Sequence, residues 1–385
     1  MNDRQSQIVF ALVAGEKSGD LLGADLIRGL KARYPHARFV GIGGENMQVE
    51  GLESWFEMEQ LSVMGLFEVL KYLPKLLRLR KRLIKKLREI KPHAFIGIDA
   101  PDFNFYVERQ LKQAGIKTIH YVGPSVWAWR ENRLEKIKKS VDGVLVLFPF
   151  EPTIYDRYQI PVKFVGHPLA NQVPDEPNSV QARQTLGLAL DMPVTALLPG
   201  SRMSEIDRMA DPYIQAAKKI ALIHPNMQFV IPCVHQAARA RIEESVKRYG
   251  AKLSIKLIDQ QSQTVMEACD QMIVTSGTAT LQAALMMRPM VIAIKVHPVS
   301  YWIMKRLAIS KWIGLPNILA QQDVAVELIQ HEVTPDKLAL ELGRLILDKS
   351  RRETQLKAFR VQRSALKQDS ASLAAQAVID WAELN

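Results

Sequence analysis

Short apolar runs recur along this chain at the spacing of strand–helix units, and that alternation restricts the possible folds more than any other feature. The first series comprises Ile8–Ala14, Phe39–Ile42, Phe95–Ile98, Thr118–Val122, Val144–Phe148 and Lys163–Val165, with helix-like segments between them. Strands that read as continuous apolar runs are buried on both faces, which means a parallel sheet covered by helices. A second series follows the turn-rich stretch Pro174-Asp175-Glu176-Pro177-Asn178, with runs at Thr195–Leu198, Gln228–Ile231, Leu253–Leu257, Gln271–Thr275 and Met290–Ile294. The chain has 385 residues, too many for one ordinary core. The expectation is an α/β protein with two doubly wound domains joined near residues 167–178. From about Thr334 the pattern changes to successive helices, including Pro335–Leu347 and Ser370–Leu384. Open sheets of this kind bind ligands at the carboxyl ends of their strands, so the loops after the runs are the place to look for chemistry.

Two cysteines, Cys233 and Cys269, stand far apart without CxxC spacing, which supports neither a disulfide framework nor a zinc site and predicts inert core thiols. The first apolar run lacks a basic leader and is too short for a signal peptide or a membrane span, so a cytoplasmic protein is expected. The formal net charge is +11. Ten lysines and arginines against one acid, Glu89, lie between Lys71 and Lys91, so the excess is concentrated in one window. Within it Leu66, Val69, Leu70, Leu73, Leu76 and Leu77, followed by Leu83, Ile84, Leu87 and Ile90, recur at helical spacing. A wide apolar strip with a cationic opposite face fits a helix lying in the interface of an anionic membrane; the alternative is a domain helix with one core face. Tyr301-Trp302-Ile303-Met304-Lys305-Arg306, with Lys311 and Trp312, offers aromatic and basic residues for the same purpose or for packing.

Four loops carry candidate chemistry. Ala14-Gly15-Glu16-Lys17-Ser18-Gly19-Asp20 is a small-residue turn in which Glu16 and Ser18 are placed to meet sugar hydroxyls, or which simply joins strand to helix; Gly41-Ile42-Gly43-Gly44 invites the same pair of readings. Ile98-Asp99-Ala100-Pro101-Asp102 ends a strand in a carboxylate, and Asp99 is the candidate general base for a hydroxyl nucleophile, unless it or Asp102 only caps the following helix. Pro199-Gly200-Ser201-Arg202-Met203-Ser204-Glu205 opens a helix whose free N–H groups suit a diphosphate, with Arg202 compensating its charge. Ser276-Gly277-Thr278-Ala279-Thr280-Leu281-Gln282 repeats the design without the lysine a nucleoside triphosphatase would need.

Taken together, AGExSGD at 14–20, GIGG at 41–44, IDAPDFN at 98–104, HYVGPSVWAWRENR at 120–133, FVGHPLA at 164–170, LLPGSR at 197–202, SGTATL at 276–281 and LPNILA at 315–320 resemble the lipid-A-disaccharide synthases of glycosyltransferase family 19. IDAPDFN and PSVWAWR are specific to that family, whereas PGSR and SGT are shared more widely among nucleotide-sugar enzymes. The resemblance implies a GT-B architecture of two Rossmann-like domains facing a central cleft. Residues 1–170 with a returning helix at about 365–385 would form the acceptor and membrane-binding domain, and 171–364 the UDP-sugar domain. It implies an inverting transferase taking UDP-2,3-diacylglucosamine as donor and 2,3-diacylglucosamine 1-phosphate as acceptor. The product would be a β-1,6 disaccharide, formed at the inner face of the inner membrane of a Gram-negative bacterium, without cofactor or metal. The resemblance also implies catalytic roles for Asp99 and Glu16, and UDP contacts from Gly200, Ser201, Arg202, Glu205, Ser276, Gly277, Thr278 and Gln282. Ser18 and Asn317 would lie at the acceptor side; anionic lipid would be a partner, nucleic acid would not, and a homodimer is left open. Gln282 departs from the family pattern, which has glutamate for the uridine ribose; an amide carbonyl still accepts. Two competing readings remain at this level: a UDP-sugar 2-epimerase of the same fold, which would not need the cationic amphipathic segment, and a basic nucleic-acid-binding protein. The second gains only from charge, since Tyr72 is the sole aromatic in the basic window.

Overall fold

The computed structural model describes residues 7–61, 66–126 and 133–384; within the helix Leu66–Ile90 side chains are described from Pro74 onward. The described residues form two compact units, one of residues 1–168 with 366–385 and one of residues 169–365.

The first unit is built on seven parallel strands, β1 (Val9–Ala14), β2 (Arg38–Ile42), β3 (Leu52–Ser54), β4 (Ala94–Ile98), β5 (Lys117–Tyr121), β6 (Gly143–Val146) and β7 (Val162–Phe164). They lie in the order β3-β2-β1-β4-β5-β6-β7. The second has six, β8 (Val194–Leu198), β9 (Gln228–Cys233), β10 (Ile255–Asp259), β11 (Gln271–Thr275), β12 (Met290–Ile294) and β13 (Glu327–Ile329), in the order β10-β9-β8-β11-β12-β13. Every pairing is parallel. This is the doubly wound pattern the alternating runs predict. β4 and β8 are buried along their whole lengths, as strands covered on both faces must be. The three-residue strands β3 and β13 were not expected, and β10 begins two residues beyond the start of the run Leu253–Leu257.

Register explains one small residue. Gly41 pairs with Leu12 across β1–β2, at φ 142°, and a side chain there would fall on the Leu12 carbonyl oxygen. The strand order reverses between β1 and β4 in the first sheet and between β8 and β11 in the second. At such a switch point neighbouring helices leave on opposite faces, and the two strand ends form a crevice open to ligand.

The last helix, Ser370–Trp381, belongs to the first unit. Gly29 of the helix Lys17–Arg33 lets it approach Ala371 closely, Gly143 makes room for the Trp381 ring, and Tyr34 donates its hydroxyl to the Leu384 carbonyl at 2.5 Å. Ala374, Ala375, Val378 and Ile379 join the core formed by β1, β2 and β4.

Candidate functional site

Pairing of β1 with β4 places Ala14 beside Ile98, so the loops that follow, Gly15–Gly19 and Asp99–Pro101, meet at the switch point of the first sheet. A Cβ on Gly15 would lie 3.2 Å from that of Ala100, which shows how tightly the two turns approach. Glu16 is the N-cap of the helix Lys17–Arg33, with its side chain and that of Ser18 exposed, while Asp99 is half-buried.

The backbone at the end of β4 is strained. Asp99 and Ala100 both hold left-handed φ values, 51° and 44°, and Val122 at the end of neighbouring β5 has φ 74°, a region that a β-branched residue seldom adopts. Each costs about 1–3 kcal/mol and persists only if the surroundings impose it. Two contacts do so: the Asp99 N–H donates to the Tyr121 carbonyl at 2.9 Å, and buried Asn104 donates its amide to the Asp99 carbonyl at 2.8 Å. Among the described residues the Asn104 Oδ1 has no hydrogen-bond partner, and one helical turn further Glu108 meets His120 of β5, Oε1 to Nδ1 2.8 Å, both wholly buried. Burial raises the Glu108 carboxyl above the usual range, against the pull of His120. Gly97 is required above this pair, because a Cβ would strike the Glu108 carboxylate and Asn104. Asn104 and His120 lie in motifs of the resemblance that assign them no role, and Glu108 lies in none; the available signal is two polar residues, Asn104 and Glu108, on a helix face otherwise formed by Phe103, Val107 and Leu111.

The aspartate of AGExSGD has a different task from its neighbours. Asp20 is buried and accepts from the N–H groups of Gly44, Asn46 and Met47 and from the Asn46 amide, at 2.7 to 3.2 Å. It therefore fixes the GIGG loop to the first turn and caps the helix Glu45–Val49.

In the second sheet, pairing of Leu198 with Val274 across β8–β11 brings Gly200-Ser201-Arg202 and Ser276-Gly277-Thr278 to one switch point. The helix Met203–Ile223 begins there. The amides of the turn just before it are already occupied: Glu205 accepts from the Ser201 N–H at 3.0 Å and the Arg202 N–H at 3.3 Å, and pairs with the Arg202 guanidinium at 3.0 Å. This is the glutamate half of a capping box. A ligand phosphate at this turn must share or displace that carboxylate, so Glu205 acts as a tether for Arg202, whose side chain is 77% exposed. Gly200, at φ 121°, leaves the space into which Glu205 folds. Gly277 and Thr278 are exposed, with open space where a Gly277 Cβ would stand; Gln282 is half-buried.

Asn317, which the resemblance assigns to the acceptor side, is engaged within the fold. It is 1% exposed, its Oδ1 accepts from the N–H groups of Val324 and Ala325, and its amide donates to the Ala325 carbonyl and to Glu327, all within 2.9 Å. Both polar side-chain atoms are engaged, so Asn317 holds the loop at Val324 and Ala325 in place. Glu327, which nothing in the sequence singled out, also receives the N–H groups of Ile313 and Gly314, and the Ser276 hydroxyl donates to the Ile313 carbonyl at 2.8 Å. Burial raises the Glu327 carboxyl, opposed by those hydrogen bonds. A cavity of about 440 Å³ lined by Pro193, His224, Asp270, Arg288 and Arg352 opens at the N-terminal ends of β8, β11 and β12. That is the opposite edge from the glycine turns, hence no part of this site.

The basic amphipathic segment does form one helix, Leu66–Ile90, but its two ends differ. Leu79, Leu83, Ile84 and Leu87 are buried in the first core and Leu76 packs against it, so this half has the core-facing role and not the lipid-facing one expected for the whole strip. Leu77 is 39% exposed. The side chains of Leu66, Val69, Leu70 and Leu73 lie outside the described residues, as do Trp127–Asn132 of the PSVWAWRENR motif. Arg80 stacks over Tyr106 and Lys86 over Trp55, while Lys75, Arg78, Lys81, Arg82 and Lys85 remain exposed. Among the described residues no helix is long and apolar enough to cross a membrane. Both cysteines are buried, and burial raises the thiols to about 11 for Cys233 and about 12 for Cys269, as inert core thiols require.

A family model described as lipid-A-disaccharide synthetase matches residues 10–380. The lipid-A-disaccharide synthase of Hydrogenovibrio crunogenus is 62% identical over 373 residues, 97% of this chain and 99% of that protein. The Pseudomonas putida enzyme of the same name is 48% identical over 374 residues, 97% and 98% of the two chains. Among solved structures, Anabaena HepE in complex with UDP-glucose superposes with TM-score 0.56 at 13% identity, covering 98% of this chain and all of that one. The UDP-GlcNAc 2-epimerase of Neisseria meningitidis gives 0.59 at 11%, again over 98% and 100%. A Rickettsia africae glycosyltransferase gives 0.60 at 11%, over 98% of each chain. At such identities the structural likeness shows the fold alone, two Rossmann-like units of the GT-B class, and the epimerase neighbour carries no reaction with it.

Proposed function

Because the chain belongs to the lipid-A-disaccharide synthase family, and is therefore a glycosyltransferase acting on a nucleotide sugar and a lipid acceptor, we propose that its two switch points divide the reaction between them. The single observation that carries this reading is that four turns of the resemblance converge in pairs, Gly15–Gly19 with Asp99–Pro101 and Gly200–Arg202 with Ser276–Thr278.

The donor is UDP-2,3-diacylglucosamine and the acceptor 2,3-diacylglucosamine 1-phosphate. Asp99 takes the proton of the acceptor 6-hydroxyl as its oxygen attacks the anomeric carbon of the donor from the face opposite UDP, so configuration inverts and a β-1,6 bond forms. Strain at Asp99 and Ala100, maintained by Asn104, gives the carboxylate a fixed aim, which is what a general base needs. Glu16 and Ser18 meet acceptor hydroxyls from the adjoining turn. On the leaving side Arg202, with the amides of the Gly200-Ser201 and Ser276-Gly277-Thr278 turns, stabilises the charge that develops on the diphosphate, and Gln282 accepts from the ribose. Glu205 yields its place on the Ser201 and Arg202 amides when the diphosphate arrives. Leu66, Val69, Leu70 and Leu73 with Leu77 set the enzyme in the headgroup layer of an anionic inner membrane, sparing the cost of about 0.8 kcal/mol for every acyl methylene drawn into water. Incubating the full chain with both acylated sugars and following mass tests this. One disaccharide per UDP released is expected; no coupled product, or epimerisation of UDP-N-acetylglucosamine instead, overturns it.

A further inference from the structure

The helix Pro298–Leu307, which follows β12, has ten residues and buries none of them. A helix of a globular domain ordinarily hides one apolar stripe. Here Val299, Trp302, Ile303, Met304 and Leu307, with Ile309 just beyond, are all exposed large hydrophobics, Val299 at 60% and Ile309 at 58%. Contiguous exposed apolar surface of this kind marks an interaction site. Its charge says what kind. From Lys295 to Gln322 the sequence contains no aspartate or glutamate, while Lys305 and Arg306 lie on the helix. The Arg306 guanidinium stacks on the Trp302 ring at 3.8 Å, and among the described residues neither Lys305 nor Arg306 forms an ion pair.

We propose that this helix is a second lipid-docking element, which seats the nucleotide-binding unit itself on the interface of an anionic bilayer. Apolar side chains enter the acyl boundary, Trp302 sits at headgroup level, and Lys305 and Arg306 reach anionic phosphates. A second copy of the chain is a poor occupant, because two cationic faces repel. The place is also informative. The segment that leaves this helix is held to the Ser276 turn by the Ser276 hydroxyl on the Ile313 carbonyl at 2.8 Å, so lipid docking occurs beside the turn assigned to the donor diphosphate. The inference rests on the lipid-linked donor of the preceding section and adds a surface to it.

A local probe separates this claim from membrane binding in general. Cys233 and Cys269 are buried, so a fluorophore sensitive to polarity can be attached to the full chain at Ile303→Cys alone. With vesicles of about one-third phosphatidylglycerol in phosphatidylcholine its emission brightens and shifts to the blue, salt reverses the change, and pure phosphatidylcholine gives none. Lys305→Gln and Arg306→Gln each weaken the transfer about fivefold. If the protein sediments with the anionic vesicles while the label stays in water, the inference fails and docking belongs to the helix Leu66–Ile90 alone. Absence of both sedimentation and shift overturns both docking claims. A shift without vesicles that grows with protein concentration assigns the surface to self-association. Disaccharide formation by the unlabelled enzyme in detergent micelles is scored separately, so a failed reaction is not mistaken for failed docking.

Discussion

Replacement of Asn317 by alanine separates a loop-holding residue from a ligand contact. In the structure its side chain satisfies the buried N–H groups of Val324 and Ala325 and the Ala325 carbonyl, and its amide also meets the carboxylate of Glu327. Truncation leaves three backbone groups without their partner and removes a donor from the half-buried Glu327 carboxylate. An unsatisfied buried group costs about 1–3 kcal/mol, and water entering the vacated space returns part of it, so the net loss should be roughly 3–5 kcal/mol. For a unit of nearly 200 residues that corresponds to a fall of about 6–20 °C in the melting transition of the second unit. Calorimetry of the full chain provides the assay; chemical denaturation should show the same loss. Activity should fall in step with the folded fraction. An Asn317→Ala protein that melts with the parent but has a raised KM for acceptor would refute this account of the residue and restore the acceptor-side contact.

Two other outcomes follow from the same geometry. Arg202→Ala should leave the melting temperature nearly unchanged, because its exposed pair with Glu205 contributes at most about 1 kcal/mol, yet raise the donor KM and lower kcat together; an unchanged UDP affinity and turnover would place the diphosphate elsewhere. His167, buried against Phe148, has its pKa lowered from 6.5 to about 4 by desolvation, so it is neutral in the folded protein while the unfolded chain takes up a proton. Its contribution is complete above about pH 6.5 and is lost as pH falls to about 4, up to roughly 3 kcal/mol; the difference in stability between parent and His167→Gln should shrink across that window, and a constant difference would contradict the assignment.

Much of this was legible in the sequence, for reasons that can be located. β1 and β8 are apolar runs long enough to exclude an exposed strand, and β1 is followed by Gly15 and β8 by Pro199-Gly200, so both the sheets and the turns at their switch points follow from composition and order. β3 and β13 are three residues long, each with one buried side chain, and carry no periodic signal. The strip from Leu66 to Ile90 shows the limit of periodicity. Leu77 and Leu83 belong to one helical pattern, yet the first is exposed and the second wholly buried, because periodicity reveals that a face is apolar and not what covers it. Asp20, Asn317 and Glu327 share another limit. Their partners are backbone amides brought near by the fold, a relation that residue type alone does not encode. Asp99 was conspicuous as a carboxylate at a strand end, but the strain that aims it and the buried Asn104, Glu108 and His120 beneath it appear only in three dimensions.

The most direct test of the central claim is single-turnover transfer by Asp99→Asn from UDP-2,3-diacylglucosamine to the lipid acceptor, measured beside equilibrium UDP binding. The amide keeps the size of the carboxylate and its turn but cannot take the acceptor proton. The account predicts UDP affinity and melting temperature equal to the parent, with transfer slower by about 10²–10⁴. Transfer at the parental rate would contradict it and remove Asp99 from the chemistry.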